Sequence, residues 1–249
     1  KWRTSDPNAT YYPNGILVIT KDPTSTADRH ILAWQFDVRT SDPSKDQRIF
    51  IDASSGQKIK SYPLSFECNT GTVNSTWYGT KNINTDINGD GKYILLDDCG
   101  GAQIRTTQTT GADFVADDNS WTLAGETGPG TTHLHGRITM DYFSSIHGRN
   151  SYDDAGGNLE IRYIDDANAY SSGSGLIRVG NSNSALDANH YNTLDVVAHE
   201  FTHSIINNTS ALVYQDEPGA LNESFSDIFG ETTEMWYEAL PSASWDWLH

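Results

Sequence analysis

Residues 198–203 read AHEFTH: two histidines four apart, with a glutamate directly after the first. On an α-helix, residues i and i+4 lie on one face, one turn apart, so His199 and His203 point the same way. Two imidazoles placed like this can hold one Zn²⁺. Glu200 is rotated off their direction, which suits a base for a zinc-activated water better than a ligand. The stretch also fits an ordinary polar helix face, because HExxH occurs on solvated helices without a metal. If it is a metal site, the fold is tightly constrained. One helix must carry the pair, and a second element must bring a third ligand beside it while one coordination position stays open.

The flanking residues support the helix. Leu194, Val197, Phe201 and Ile205 form one apolar stripe, Asn192 or Thr193 is a plausible N-cap, and NNTS (207–210) ends the element. A third ligand six residues after His203 would need glycine at 206 and histidine at 209, but the chain has Ile206 and Thr209. No cysteine lies nearby. There remains a glutamate on a following helix, which starts near Pro218 with Asp216 and Glu217 favouring its N-terminus. The spacing predicts a core stripe of Leu221, Phe225, Ile228 and Thr232, and an acidic stripe of Glu223, Asp227 and Glu234 opposite it. Glu223 closes the zinc triad. Asp227 accepts the outer N–H of a zinc histidine and fixes its tautomer, and Asn222 is placed with it behind the ligands. Glu234 lies roughly 16 Å further along the axis at 1.5 Å per residue, too far to share that metal. On spacing alone, Glu234 and Asp195 read as solvated charges.

The rest of the chain reads as mixed. Residues 15–20, 30–38 and 48–59 are apolar, strand-like runs separated by turn-rich text at 22–28 and 40–46, and DASSGQ (52–57) is a turn leading into one more short strand. Residues 75–98 look like hairpin material, with Asn88-Gly89 and Asp90-Gly91 as turn signals. The same segment nearly fits a calcium loop through Asp86, Asn88, Asp90, Gly91 and Asp97. Residues 100–130 have no clear pattern. Residues 133–148 carry helical spacing through Ile138, Tyr142 and Ile146, 151–164 return to turn and strand, and 171–175 form a loop.

The formal charge of −17, from 33 acidic and 16 basic residues, argues against a nucleic-acid partner. No run approaches the roughly 18 apolar residues of a membrane span. The two cysteines, Cys68 and Cys99, would be unrelated thiols in a cytosolic protein. In a secreted one they read as a disulfide, the preferred reading here, because the rest of the text looks extracellular.

DVVAHEFTH (195–203), LVYQDEPGALNESFSDIFG (212–230), NAY (168–170) and THLHGRITMDYFSSIHGRNSYDDAGG (132–157) together resemble the thermolysin family of zinc metallopeptidases. The resemblance implies an α+β, zincin-type (gluzincin) domain, β-rich, with an HExxH helix and a following ligand helix. It makes His199, His203 and Glu223 zinc ligands, Glu200 the general base and Tyr214 a stabiliser of the tetrahedral oxyanion. Asn168 and Ala169 match the edge segment that pairs with substrate backbone. Asp195, Glu234 and Asp246 match part of a structural calcium site. Residues 1–66 are similar to the C-terminal part of the family's PepSY-like propeptide, a small α+β segment that acts as folding helper and inhibitor. Residues 67–190 would be the β-rich part of the peptidase domain and 191–249 the zinc-binding helices, with processing around 64–76. The implied function is that of a secreted zinc endopeptidase, as proenzyme or processed fragment, acting on protein or peptide substrates. The family's C-terminal helical domain is expected to be absent, since the chain stops at His249. That domain would then be a separate chain or a region outside the present sequence, and this chain alone would be inactive. The alternative is a catalytically incomplete or non-catalytic binding module of the same fold. A secreted, calcium-stabilised β-domain with an incidental HExxH is the remaining rival.

Overall fold

The computed structural model describes residues 14–22, 29–38, 47–63, 69–99, 101–180 and 191–239. The chain divides into two compact units, residues 1–67 with 99–101, and residues 68–98 with 102–249.

In the first unit, β1 (Gly15–Lys21), β2 (His30–Val38), β3 (Gln47–Asp52) and β4 (Lys58–Pro63) form an antiparallel meander in that order. Asp52 builds the last turn: its Oδ1 accepts from Ser54 N at 2.8 Å and Ser55 N at 2.7 Å. Gly56 supplies the φ of 72° that completes it. Directly opposed residues share a sheet face, so Leu17 with Trp34 and Ile19 with Leu32 make an apolar surface. It is exposed, from 41% at Trp34 to 74% at Ile19. The sequence reading expects a small α+β segment here. Among the described residues the unit contains strands only.

Among the described residues, the second unit holds two five-stranded sheets and three helices. One sheet runs β10 (Val115–Ala116), β7 (Tyr93–Ile94), β6 (Gly79–Ile87), β5 (Asn69–Ser75), β11 (Ser120–Trp121). The other runs β13 (Ala169–Ser171), β14 (Leu176–Gly180), β12 (Leu159–Ile164), β9 (Ile104–Gln108), β8 (Leu96–Asp97). Strands β9 and β14 flank β12 in parallel, and β13 is antiparallel at the edge. The unassigned 100–130 stretch thus holds short strands whose partners lie far away in sequence.

Residues 86–97 adopt the hairpin. Asn88 Oδ1 accepts from Asp90 N and Lys92 N, each at 3.0 Å, and Gly91 takes φ 74°. Asp97 is turned inward, 1% exposed, and held by Arg137 Nε at 2.7 Å.

Helix α1 (Thr127–His147) starts ahead of the expected His133 and packs into both cores. Leu134 and Ile138 join Val73, Leu95 and Trp121, while Met140, Tyr142 and Phe143 join Ile161, Ile177 and Phe201. Gly136 permits the approach, since a Cβ there would lie 2.6 Å from Ile161 Cδ1. The expected stripe is corrected at its end: Ile138 and Tyr142 are buried, but Ile146 is 53% exposed.

Helices α2 (Leu194–Asn207) and α3 (Asp216–Glu238) lie against each other. The α2 stripe Leu194, Val197, Phe201, Ile205 is buried as expected. The α3 stripe is not. Leu221, Phe225 and Ile228 are 50%, 44% and 42% exposed, and the buried residues are Gly219, Asn222, Ser226, Gly230, Glu231, Thr233 and Met235. The reason is distance. The two helices approach so closely that a Cβ on Gly230 would lie 2.7 Å from Asp195 O, and only small side chains fit such a seam.

Candidate metal centre

The buried stripe of α2 fixes its rotation and turns His199 and His203 toward the α3 seam. Their Nε2 atoms are 3.0 Å apart. Glu223, on the first turns of α3, brings Oε2 to 3.3 Å from His199 Nε2 and Oε1 to 3.6 Å from His203 Nε2. Among the described residues, only these three form a group whose ligand atoms all lie within 4.8 Å of one another.

The hydrogen bonds behind the imidazoles set their tautomers. His199 Nδ1 donates to Asp227 Oδ1 at 2.9 Å. His203 Nδ1 donates to Asn222 Oδ1 at 2.7 Å, and Ser226 Oγ lies 3.1 Å from the same nitrogen. Asn222 is oriented by its own Nδ2, which donates to Leu212 O at 3.3 Å. With both protons at Nδ1, both Nε2 atoms direct lone pairs at one point, beside a carboxylate. Three electron-rich atoms converging in this way fit a divalent cation that takes nitrogen and oxygen ligands, as zinc does. Burial lowers the His199 pKa, and His203 alongside lowers it further, which favours the neutral, ligating form.

Glu200 lines the same cleft as His199, His203 and Glu223 and is buried, with 6% of its surface exposed. Burial, with Glu223 nearby, pushes its carboxyl up to about 8. Tyr214 stands on the loop between α2 and α3, 70% exposed, and its hydroxyl donates to Glu223.

A cleft of about 710 Å³ runs past the triad, between the Ala169–Gly173 segment and residues 211–214. A second, of about 480 Å³, lies on the other side and shares Ala169, His199 and Glu200 with the first. Strand β13 sits between them as an edge strand. Ser172 N bonds to Leu176 O, so the alternation of an antiparallel ladder leaves the main chain of Ala169 and Ser171 facing outward. Asn168 Oδ1 accepts from Ala169 N at 2.9 Å.

The other sequence-predicted residues are placed apart from the triad. Asp195 lies one turn before His199. Glu234 accepts from Tyr78 OH at 3.1 Å, and burial together with Asp195 pushes its carboxyl up to about 7. Asp246 and Cys68 lie outside the described residues. Sequence reasoning missed Ser226 and Tyr78. Ser226 carried a usable signal, one helical turn after Asn222. Tyr78 carried none, being 156 residues from Glu234.

The profile described as "Thermolysin metallopeptidase, catalytic domain" matches residues 70–207. The one described as "Thermolysin metallopeptidase, alpha-helical domain" matches residues 210–248. The second match overturns the expectation that the C-terminal helical domain is absent. The boundary falls in the α2–α3 loop, so the two histidines stand in one domain and Glu223 in the next. The sequence reading groups all three within 191–249 and takes the stop at His249 to come before the helical domain. A bacillolysin of Brevibacillus brevis is 36% identical over 216 residues, covering 82% of this chain and 39% of that protein. A thermolysin of Alicyclobacillus acidocaldarius is 30% identical over 241 residues, covering 87% and 43%. This chain therefore spans less than half the length of these relatives. A solved precursor of protealysin from Serratia proteamaculans aligns at 25% identity with a TM-score of 0.49, over 57% of this chain and 44% of that one.

Proposed function

The chain belongs to the thermolysin metallopeptidase family, and on that premise we propose that it is a zinc-dependent endopeptidase. The observation that carries this is the convergence of His199, His203 and Glu223 with Glu200 buried beside them. These three would hold the zinc, which when bound polarises a carbonyl and lowers the pKa of water. Glu200, ionised once a cation occupies the site, would accept a proton from the attacking water and deliver it to the leaving amine. Tyr214 swings its hydroxyl from Glu223 to the developing oxyanion. Asp227 and Asn222 hold the two histidine tautomers. The outward main chain at Ala169, with Asn168 beside it, takes an extended peptide as an added strand.

Four finer assignments accompany this reading. Asp195 and Glu234 contribute carboxylates to a calcium position, supported by the mutual repulsion that a cation would relieve. Asp246 is assigned to the same position from sequence. Residues 1–66 act as a prosegment cut near 64–68; a cut at 69–75 would have to break β5, which pairs with both β6 and β11. Cys68 and Cys99 form a disulfide, and the protein works outside the cell. The disulfide supports that location, and no described helix is long and apolar enough to cross a membrane.

The test is zinc content and peptide hydrolysis of the wild type and Glu200→Gln. The variant should keep one zinc and lose turnover by about 10²–10⁴-fold. Wild type that binds zinc without cleaving any peptide would favour the non-catalytic reading, and absence of zinc binding would remove the metal site itself.

A further inference from the structure

We propose that Ser226 is a positioning residue for His203: its buried hydroxyl shares the Nδ1 proton with Asn222 and keeps Nε2 aimed at the metal position. This rests on the reading of His199, His203 and Glu223 as a zinc site.

The argument follows from counting hydrogens. A serine hydroxyl has one proton to give. Ser226 gives it to Asn222 O, one turn back on α3, at 2.9 Å. Toward His203 Nδ1, 3.1 Å away, Ser226 Oγ can then only accept. Asn222 Oδ1 is also an acceptor, because the amide nitrogen is committed to Leu212 O. Two acceptors thus converge on one ring nitrogen, and that nitrogen must carry the proton. The opposite nitrogen is left with a lone pair, the form a metal requires.

The two acceptors come from successive turns of α3, at i and i+4, so they bracket the N–H from two directions. One alone would fix the tautomer. Two also limit rotation of the ring about its χ2 axis, which is the motion that would swing Nε2 off the metal. Ser226 is fully buried, so no water can replace its oxygen if it is removed. His199 is supported differently, by the single carboxylate of Asp227, whose side chain is 70% exposed. The His203 support is neutral, buried and doubled.

A small residue at 226 is also required by the α2–α3 seam, so packing and positioning must be separated. Ser226→Ala keeps the packing and removes only the oxygen. Ser226→Thr restores a hydroxyl. Zinc affinity would be measured by competition with a chelator of known affinity. Thermal melting of the chelated protein and the imidazole ¹H–¹⁵N spectrum of the zinc-loaded protein would be recorded alongside. We expect Ser226→Ala to bind zinc about tenfold more weakly, in the range seen for partners of metal ligands. Its chelated melting temperature should be unchanged, and the His203 Nδ1–H resonance should shift upfield. Ser226→Thr should recover affinity if it folds with the wild-type melting temperature. Wild-type affinity and an unshifted resonance in Ser226→Ala would overturn the proposal. So would a loss of zinc affinity that only tracks a fall in the chelated melting temperature. Failure of the wild type to bind zinc would instead overturn the metal-site reading beneath it.

Discussion

The surroundings of Glu200 strongly alter its chemistry. Taken out of water and set near Glu223, it holds its proton up to about pH 8 in the metal-free protein. An unfolded glutamate releases that proton near pH 4.3. Between those values the folded state binds a proton that the unfolded state has lost. The group's contribution to stability is therefore complete below the unfolded value and disappears as pH rises through about 8. Glutamine cannot ionise and avoids this loss. In chelator, Glu200→Gln should match the wild type near pH 5 and become progressively more stable than it toward pH 8.5. Parallel denaturant titrations would read this directly, and a constant difference across that range would show that Glu200 titrates as if solvated.

At the scale of the element, the α2–α3 seam decides the site. Glu223 reaches the histidines only because α3 can lie almost in backbone contact with α2 at Gly230. Gly230→Ala should force the helices apart, costing about 1–3 kcal/mol by overpacking. It should also weaken zinc binding, although the substituted residue touches no ligand donor atom. Ile228→Ser, two residues from Gly230 and on the half-exposed face, should cost no more than about 1 kcal/mol. Chemical denaturation of the two variants separates these cases. An Ile228→Ser loss as large as a core truncation would mean that the apolar stripe of α3 is covered after all.

At the scale of the molecule, buried histidines and buried carboxyls oppose each other. His133 accepts from Thr106 Oγ1 at 2.9 Å and donates to Asn84 O at 3.0 Å; His135 donates to Asn192 O at 2.8 Å. Burial drives both down to about 4. A lowered histidine resists the proton that the unfolded chain takes up near 6.5, so stability is lost as pH falls from there. Glu200 and Glu234, raised to about 8 and about 7, act with the opposite sign over much of that window. His199, lowered by the same burial, adds to the histidine side. Between pH 5 and 6.5 the opposing effects therefore largely offset, and the metal-free protein should change stability only weakly. Above that, the histidines are neutral in both states and the carboxyl effect stands alone, so stability should fall toward pH 8.5. Unfolding midpoints at pH 5.5, 6.5 and 8.5 in chelator test this, and a midpoint that rises at 8.5 would contradict it.

What the sequence determined by itself is local. His199 and His203 share a face because four residues make about one helical turn, and Asn88 to Gly91 make a turn because their own side chain and backbone close it. Helix α2 and its two histidines, the β1–β4 runs and the β6–β7 hairpin were legible for that reason, as was Glu223 as an in-phase carboxylate. Only the tertiary structure decided which face of α3 is buried. Hydrophobic spacing points to Leu221, Phe225 and Ile228, yet the narrow gap beside α2 admits glycine, serine and asparagine. The same packing put Ser226 behind His203, Tyr78 onto Glu234 and the outward backbone of Ala169 beside Glu200. Periodicity reports the geometry of one segment, whereas burial and proton placement depend on the surface that another segment brings to it.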